Sequence, residues 1–272
     1  MTGPTRLERS LIRVSGPDAR GFLDNILTQS LDHLIAGPPR YGALLTPQGK
    51  VIADMLIWGE GENFVLDADP SRGADLLRRL TMYKLRAQVE ITDVSETRNV
   101  LVADDVFGEA QLDPRLPELG WRALSSIRSP DGAGAYDAKR IALGVPDLAR
   151  DASPDEVFAG EALLDELNGV DFQKGCFVGQ ENVSRMKRRG TTRKKFCRIA
   201  FDGESPAPMT PVLAGETEVG TVRTGVPGFA IALLRLDRAQ EALEAGKSLS
   251  AAGREIRLDP PPWLILPQRD QA

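Results

Sequence analysis

Histidine is almost missing from this 272-residue chain, which carries only His33. That scarcity argues against His-based metal sites and against Ser–His–Asp or Cys–His catalysis. His33 itself follows Leu31–Asp32 in a stretch that reads as a helix exit or loop, with little to suggest chemistry. Two cysteines, Cys176 and Cys197, are too few for a disulfide framework. They point to a reducing compartment, and the cytoplasm is the simplest one. No apolar run approaches the ~20 residues of a membrane span. The opening MTGPTRLERS has early charges but leads into no apolar signal-peptide core. The nucleotide-binding patterns GxGxxG and GxxxxGK[ST] are also absent.

Hydrophobic residues make up 42% of the chain and charged ones 27%, enough to build a sizeable core in about two or three domains. The net charge of −5 argues against a general nucleic-acid coat. Yet Arg185–Lys195, RMKRRGTTRKK, places seven basic residues in eleven positions, so the remainder carries −5 − 7 = −12. The run is either a solvated helix end and loop or a site for a polyanion: phosphate, polycarboxylate, RNA or an acidic protein face. It contains no aromatics to stack on bases, which weighs against an RNA module.

Periodicity divides the chain into an α+β part and an all-β part. A strand is predicted over Leu7–Val14 and a helix over Ala19–Leu27, with Phe22, Leu23, Ile26 and Leu27 on one stripe. Thr46-Pro-Gln-Gly is a hairpin turn between strands at Tyr41–Leu45 and Val51–Trp58. Asn63–Ala68 is a further strand, Arg72–Met82 a helix, and Val89–Asp93 a strand, together an α+β unit with mixed strand pairing. Strands near Val100–Ala103 and Trp121–Leu124 precede a helix over Ala135–Leu143. After Arg193, short strands at Lys195–Phe201, Pro211–Leu213, Glu218–Gly225, Ala230–Arg235 and Arg254–Leu258 fit a small β-barrel. The expected divisions are 1–95, 96–192 and 193–272.

The chain's most distinctive stretch is DFQKGCFVGQENVSRMKRRG, residues 171–190. Gln180–Arg189 reads as a helix with Val183 and Met186 on one face, and Gly179 falls where a cap belongs. Cys176 then lies close to a helix N-terminus and near Lys174, and both effects favour thiolate over thiol. Flanking glycines and charged neighbours favour a reactive cysteine over a packed one. Cys197, on a strand with Ile199 and Phe201, reads as core.

KGCFVGQE at 174–181, with Arg185 and Gly190 following, resembles the signature of the YgfZ-type folate-binding proteins. These are relatives of the glycine-cleavage aminomethyltransferase and of a mitochondrial iron–sulfur assembly factor. VSGPDARGFLDNILTQ, LLTPQGKVIADMLI, RIALGVPDL and VGTVRTG follow in the family's order, so the likeness covers nearly the whole chain. It implies an α+β fold of three subdomains in a ring around a folate channel, with a C-terminal barrel. It also implies a role in making or repairing iron–sulfur enzymes, including tRNA-modifying ones, with tetrahydrofolate as ligand; the chain is expected to be a monomer. The family's cysteine maps onto Cys176, with Lys174, Gly175, Gly179, Gln180 and Glu181 as its motif neighbours. Asp54, Arg140, Arg185 and Arg188 become candidates for folate or anion binding.

Two departures separate the chain from the aminomethyltransferase. Ala53 stands where the resemblance places a catalytic Asp, with Asp54 beside it, and Ala142 stands where a pterin-binding Glu is expected. A methyl group can neither act as a base nor accept hydrogen bonds. Assistance in iron–sulfur cluster assembly is therefore favoured over folate-dependent one-carbon transfer. One cysteine cannot hold a common cluster alone, so Cys176 would share it with an iron–sulfur assembly protein, a client enzyme or a small thiol.

Overall fold

A computed structural model describes residues 3–127, 129–190 and 192–267. The chain runs β1 (Thr5–Leu7), β2 (Ser10–Ser15), α1 (Ala19–Ile26), β3 (Arg40–Leu45), β4 (Val51–Glu60), β5 (Asn63–Ala68), α2 (Pro70–Tyr83) and β6 (Glu90–Asp93). It continues through β7 (Asn99–Ala103), β8 (Gln111–Leu112), β9 (Trp121–Ser125), α3 (Ala133–Ala142), α4 (Leu148–Asp151) and α5 (Gln180–Arg189). The last part comprises β10 (Lys194–Ala200), β11 (Pro211–Ala214), β12 (Thr217–Val226), β13 (Phe229–Arg235), α6 (Leu236–Glu244), β14 (Leu249–Ala251) and β15 (Arg254–Leu258). The α+β class and the C-terminal barrel both hold.

Three sheets organise these elements. The first has the order β3-β4-β5-β2-β6, the second β1-β7-β9-β8, and the third closes as β10-β13-β12-β11-β14-β15. Every pairing in the first sheet is antiparallel, which corrects the expected mixed pairing. The predicted Leu7–Val14 strand is also two strands. β1 pairs with β7, whereas β2 pairs with β5 and β6, so the chain changes sheets at Glu8–Arg9.

The apolar stripe of α1 (Phe22, Leu23, Ile26) and Leu76 and Leu80 of α2 bury against the first sheet. Asp69 caps α2 by accepting a hydrogen bond from the Ser71 N–H at 2.9 Å, and Pro70 occupies the first turn. On the barrel strands, Phe196, Cys197, Val222, Ile231 and Leu233 belong to one buried core, and Cys197 is 0% exposed. The helix α6 and strand β14 were not anticipated. Leu236, Ala239 and Leu243 have helical spacing, but the Gly/Pro turns around them suggested strands throughout.

The first two sheets are joined by buried charge. Arg122 of β9 donates to Asp67 of β5 at 3.1 Å and to Asp113 at 3.2 Å. Arg9 donates to the other Asp67 oxygen at 2.5 Å, and Arg115 holds Asp113 at 2.7–2.9 Å. Although burial opposes ionisation, these guanidiniums hold the Asp113 carboxyl down to about 2 and Asp67 below its ordinary value. A depressed carboxylate stabilises the fold above its unfolded pKa of ~4. That stabilisation should disappear as pH falls from ~4 through about 2, visible as a steep drop in the urea midpoint. Arg122→Met takes one of two guanidiniums from each of two buried carboxylates and should cost about 3–5 kcal/mol at pH 7 in the same assay.

Candidate functional site

The Cys176 segment is held from below at several points. Thr28, just after α1, donates its hydroxyl to the Gly169 carbonyl at 2.6 Å, and its own carbonyl accepts from the Asp171 N–H at 3.0 Å. Gln29 donates to the Asn168 carbonyl at 2.8 Å. Asp171 then folds the chain over by accepting from the backbone N–H groups of Gln173 and Lys174, at 2.8 and 3.2 Å.

Lys174 does not serve the thiol. Its side chain is 1% exposed, and its ammonium donates to the carbonyls of Asp24, Leu27 and Gln29 at 2.5, 2.9 and 3.0 Å. An ammonium has three N–H donors, so all are committed to the C-terminal end of α1, whose free carbonyls favour a cation. Burial pulls the Lys174 pKa below its ordinary value, against the pull of Asp24. The expected thiolate partner is thus a tether between the motif and the first sheet's helix layer.

The other end of the segment is fixed by α5. Gly179 caps the helix with φ +84°, and a Cβ there would lie 2.6 Å from the Thr46 carbonyl. Gly49, at φ +83° in the hairpin turn, faces Gly179 and Asn182, and Asn182 donates to the Gln48 carbonyl at 2.5 Å. Only glycine meets both demands at position 179, a left-handed backbone and close approach. Phe177 buries beneath, and Cys176 is exposed between two anchored neighbours. A Cβ at Gly175 would meet nothing within 4 Å, so the space beside Cys176 is open. Phe172, 40% exposed with Lys187 stacked 5.2 Å from its ring, extends this surface. Its place in an otherwise polar loop was the available signal, and the motif reading passed over it.

The remaining candidates scatter. Gln180 is half-buried, and Glu181, Arg185 and Arg188 are exposed along α5. His33 sits in an exposed turn at φ +61°. Arg140 is buried, and its guanidinium donates to Asp137, Asp151, Thr224 and the Val145 carbonyl, which ties α3 to the barrel strand β12. No face of it is left for an anion. Ala53 packs into the apolar core under α1 and α2, while Asp54 faces the centre and accepts from the Tyr41 hydroxyl at 3.0 Å. Burial and the nearby Asp147 push the Asp54 carboxyl up.

The neighbouring cavity is ≈ 250 Å³, with Arg9, Tyr136, Arg140, Asp147 and Arg150 in its wall. Its three arginines are already paired, Arg9 with Asp67, Arg140 with Asp137 and Asp151, and Arg150 with Asp137 and Asp147. Ligand pockets usually run ~300–1,000 Å³ and present unpaired polar groups. The glutamate of tetrahydrofolate would meet no unpaired arginine in this wall, whose free carboxylate is the exposed Glu8.

A larger groove of ≈ 510 Å³ opens beyond the C-terminal half of α5, with Glu166 and Lys195 in its wall. Glu166 ion-pairs with Lys195, and Asp165 with Lys187 at 3.0 Å. Burial and the adjoining Asp165 raise the Glu166 carboxyl to about 7. The buried oxygens Asp165 Oδ1 and Glu166 Oε2 have no other partner, and one shared proton satisfies both.

Comparison with known proteins follows the architecture. Residues 9–103 match the GCVT N-terminal domain, and residues 193–265 match the CAF17 C-terminal beta-barrel domain. Aminomethyltransferase T of the Bartonella henselae glycine cleavage system superposes with a TM-score of 0.72 at 16% identity. That superposition covers 96% of this chain and 86% of that one. The human mitochondrial iron–sulfur cluster assembly factor IBA57 is 31% identical over 268 residues, covering 83% of this chain and 75% of its own. The Neurospora crassa homologue is 31% identical over 247 residues, 75% of this chain, which spans only 55% of that relative's length. These relatives are mitochondrial proteins by name, which overturns the cytoplasmic expectation. They bear out the assembly-factor lineage, without the YgfZ designation.

Because Lys174 supplies three of the segment's anchoring bonds, Lys174→Met should loosen the loop while leaving the sheets folded. Hydrogen exchange should rise at residues 172–178 by tenfold or more and stay unchanged in β4 and β5. Equal protection in the variant and the parent would show that Lys174 is not the tether.

Proposed function

The chain belongs to the family of the iron–sulfur cluster assembly factor IBA57, and from that premise we propose that it assists cluster assembly or repair in client proteins through Cys176. The observation that carries this reading is a single exposed thiol, held on an anchored loop with open space beside it. A thiolate is the natural ligand for iron in a cluster, and common clusters need four. Cys197 cannot be a second one, because it lies in the barrel core and burial pushes its thiol up to about 12. Among the described residues no group of three His, Cys, Asp or Glu side chains could hold a metal. The cluster is therefore cargo, and the other ligands come from a partner protein or a small thiol.

In this role the loop supplies position and the thiol supplies one bond. The hydrogen bonds at Thr28, Asp171 and Lys174 hold the backbone before residue 176, and the packing of Gly179 and Asn182 on the hairpin turn holds it after, which lowers the ordering cost of forming a shared site. This proposal calls on the thiol alone and makes no use of folate, and Ala53 and Ala142 disfavour one-carbon transfer, which needs carboxylates at those positions. The clients proposed include the tRNA-modifying iron–sulfur enzymes that the sequence motif suggested.

Complementation of a deletion strain tests the proposal directly. Wild type and Cys197→Ser should restore enzymes that depend on [4Fe–4S] clusters, whereas Cys176→Ala at equal abundance should leave them near the deletion level. Full rescue by Cys176→Ala would mean that the thiol carries no cluster. Unchanged client activity on deletion would remove the assembly role altogether.

A further inference from the structure

The proposed function leaves the basic run after the motif without a task. Five of its seven cations fall into two groups in the folded chain. Lys187 and Lys195 are paired with Asp165 and Glu166. Arg185, Arg188 and Arg189 are exposed and have no carboxylate partner among the described residues. Arg185 reaches only the Asn182 side-chain oxygen, and Arg188 only the Ser184 carbonyl, one turn back on its own helix.

These three arginines lie at i, i+3 and i+4 and share one face of α5, about 5–6 Å apart. The helix's negative end favours cations in the last turn, which accounts for Arg188 and Arg189 individually. It does not account for Arg185 in the preceding turn, and like charges at these spacings oppose helix formation by ~0.2–0.5 kcal/mol per pair. The same helix starts at Gly179, three residues after Cys176, and its far end borders exposed Phe172 through Lys187. An aromatic residue and arginines around an open centre are the residue types enriched at protein interfaces.

We propose that the exposed face of α5 docks the protein that shares the Cys176 cluster, with Arg185, Arg188 and Arg189 receiving an acidic patch on that partner. This inference rests on the reading that Cys176 works with a partner. The occupant is a protein because it must bring cysteine ligands of its own. A nucleic acid fits less well. Three cations match about three phosphates, fewer than the ~6–10 phosphate contacts that nucleic-acid binders commonly make, and the run has no aromatic side chain for base stacking. Docking through this face sets the partner's thiolates over Cys176 and fixes the approach direction, a role that electrostatic complementarity performs well.

The experiment uses two decapeptide probes, one of alternating Glu and Asp and one of Gly and Ser, each ending in a cysteine activated as a 2-thiopyridyl disulfide. Cys176 attacks the peptide sulfur, a mixed disulfide forms, and pyridine-2-thione leaves with the electron pair and a proton, read by its absorbance. At low salt the acidic peptide should react at least tenfold faster than the neutral one, and salt should shrink the difference. R185E/R188E/R189E should abolish the advantage, while R185K/R188K/R189K, with the same charge and exposure, should keep most of it. An unchanged rate ratio in the glutamate variant overturns the proposal. So does tighter binding of a ten-nucleotide RNA than of the acidic peptide, measured by fluorescence anisotropy on Cys176→Ala. That anisotropy measurement needs no thiol and no cluster. If Cys176→Ala restores client enzymes yet the acidic peptide still binds through the arginines, the cluster reading falls and the docking face stands.

Discussion

The molecule turns on Arg122, a fully buried guanidinium shared by two buried carboxylates from different parts of the chain. Taking such charges out of water costs several kcal/mol per ion, and the network is tolerable only when every charge is paired. Asp67 meets Arg9 and Arg122, and Asp113 meets Arg115 and Arg122, so no member is left alone. This mutual dependence makes the relative placement of the first two sheets specific. Apolar packing has no preferred direction, whereas a planar guanidinium between two carboxylates does.

The same device recurs at the other joints. Arg140 ties α3 to Asp151 and to Thr224 of the barrel, and Lys174 ties the cysteine segment to the end of α1. Buried cations thus join these parts, and the arginines of the cavity beside Arg140 are already paired. What is left for function is one thiol on an anchored loop and three arginines on a helix with no carboxylate partner among the described residues.

Several features were readable because they depend on local rules. Thr46-Pro-Gln-Gly had to turn, and α5 begins and ends at Gly179 and Gly190, both left-handed, as the glycine spacing indicated. Cys197 alternated with Ile199 on a barrel strand and is buried. Others were not readable. Leu7–Val14 has one continuous strand pattern, yet it divides between two sheets because Arg9 is drawn to Asp67, fifty-eight residues away. At Ala53 and Asp54 the alternation of a strand was evident, but which face meets the core depends on where α1 and α2 pack.

The sequence by itself therefore determined the fold class, the hairpin, the barrel, the limits of α5 and the singling out of Cys176. Each follows from turn chemistry, periodicity or residue count within short windows. Only the tertiary structure decided that Lys174 holds carbonyls instead of a thiolate, and that Arg140 is internal while Arg185, Arg188 and Arg189 face outward. A cation's task depends on which acceptor is nearest once the chain has folded. For these residues the deciding acceptors lie far off in sequence, as Asp24 does for Lys174, or are missing from the described residues altogether.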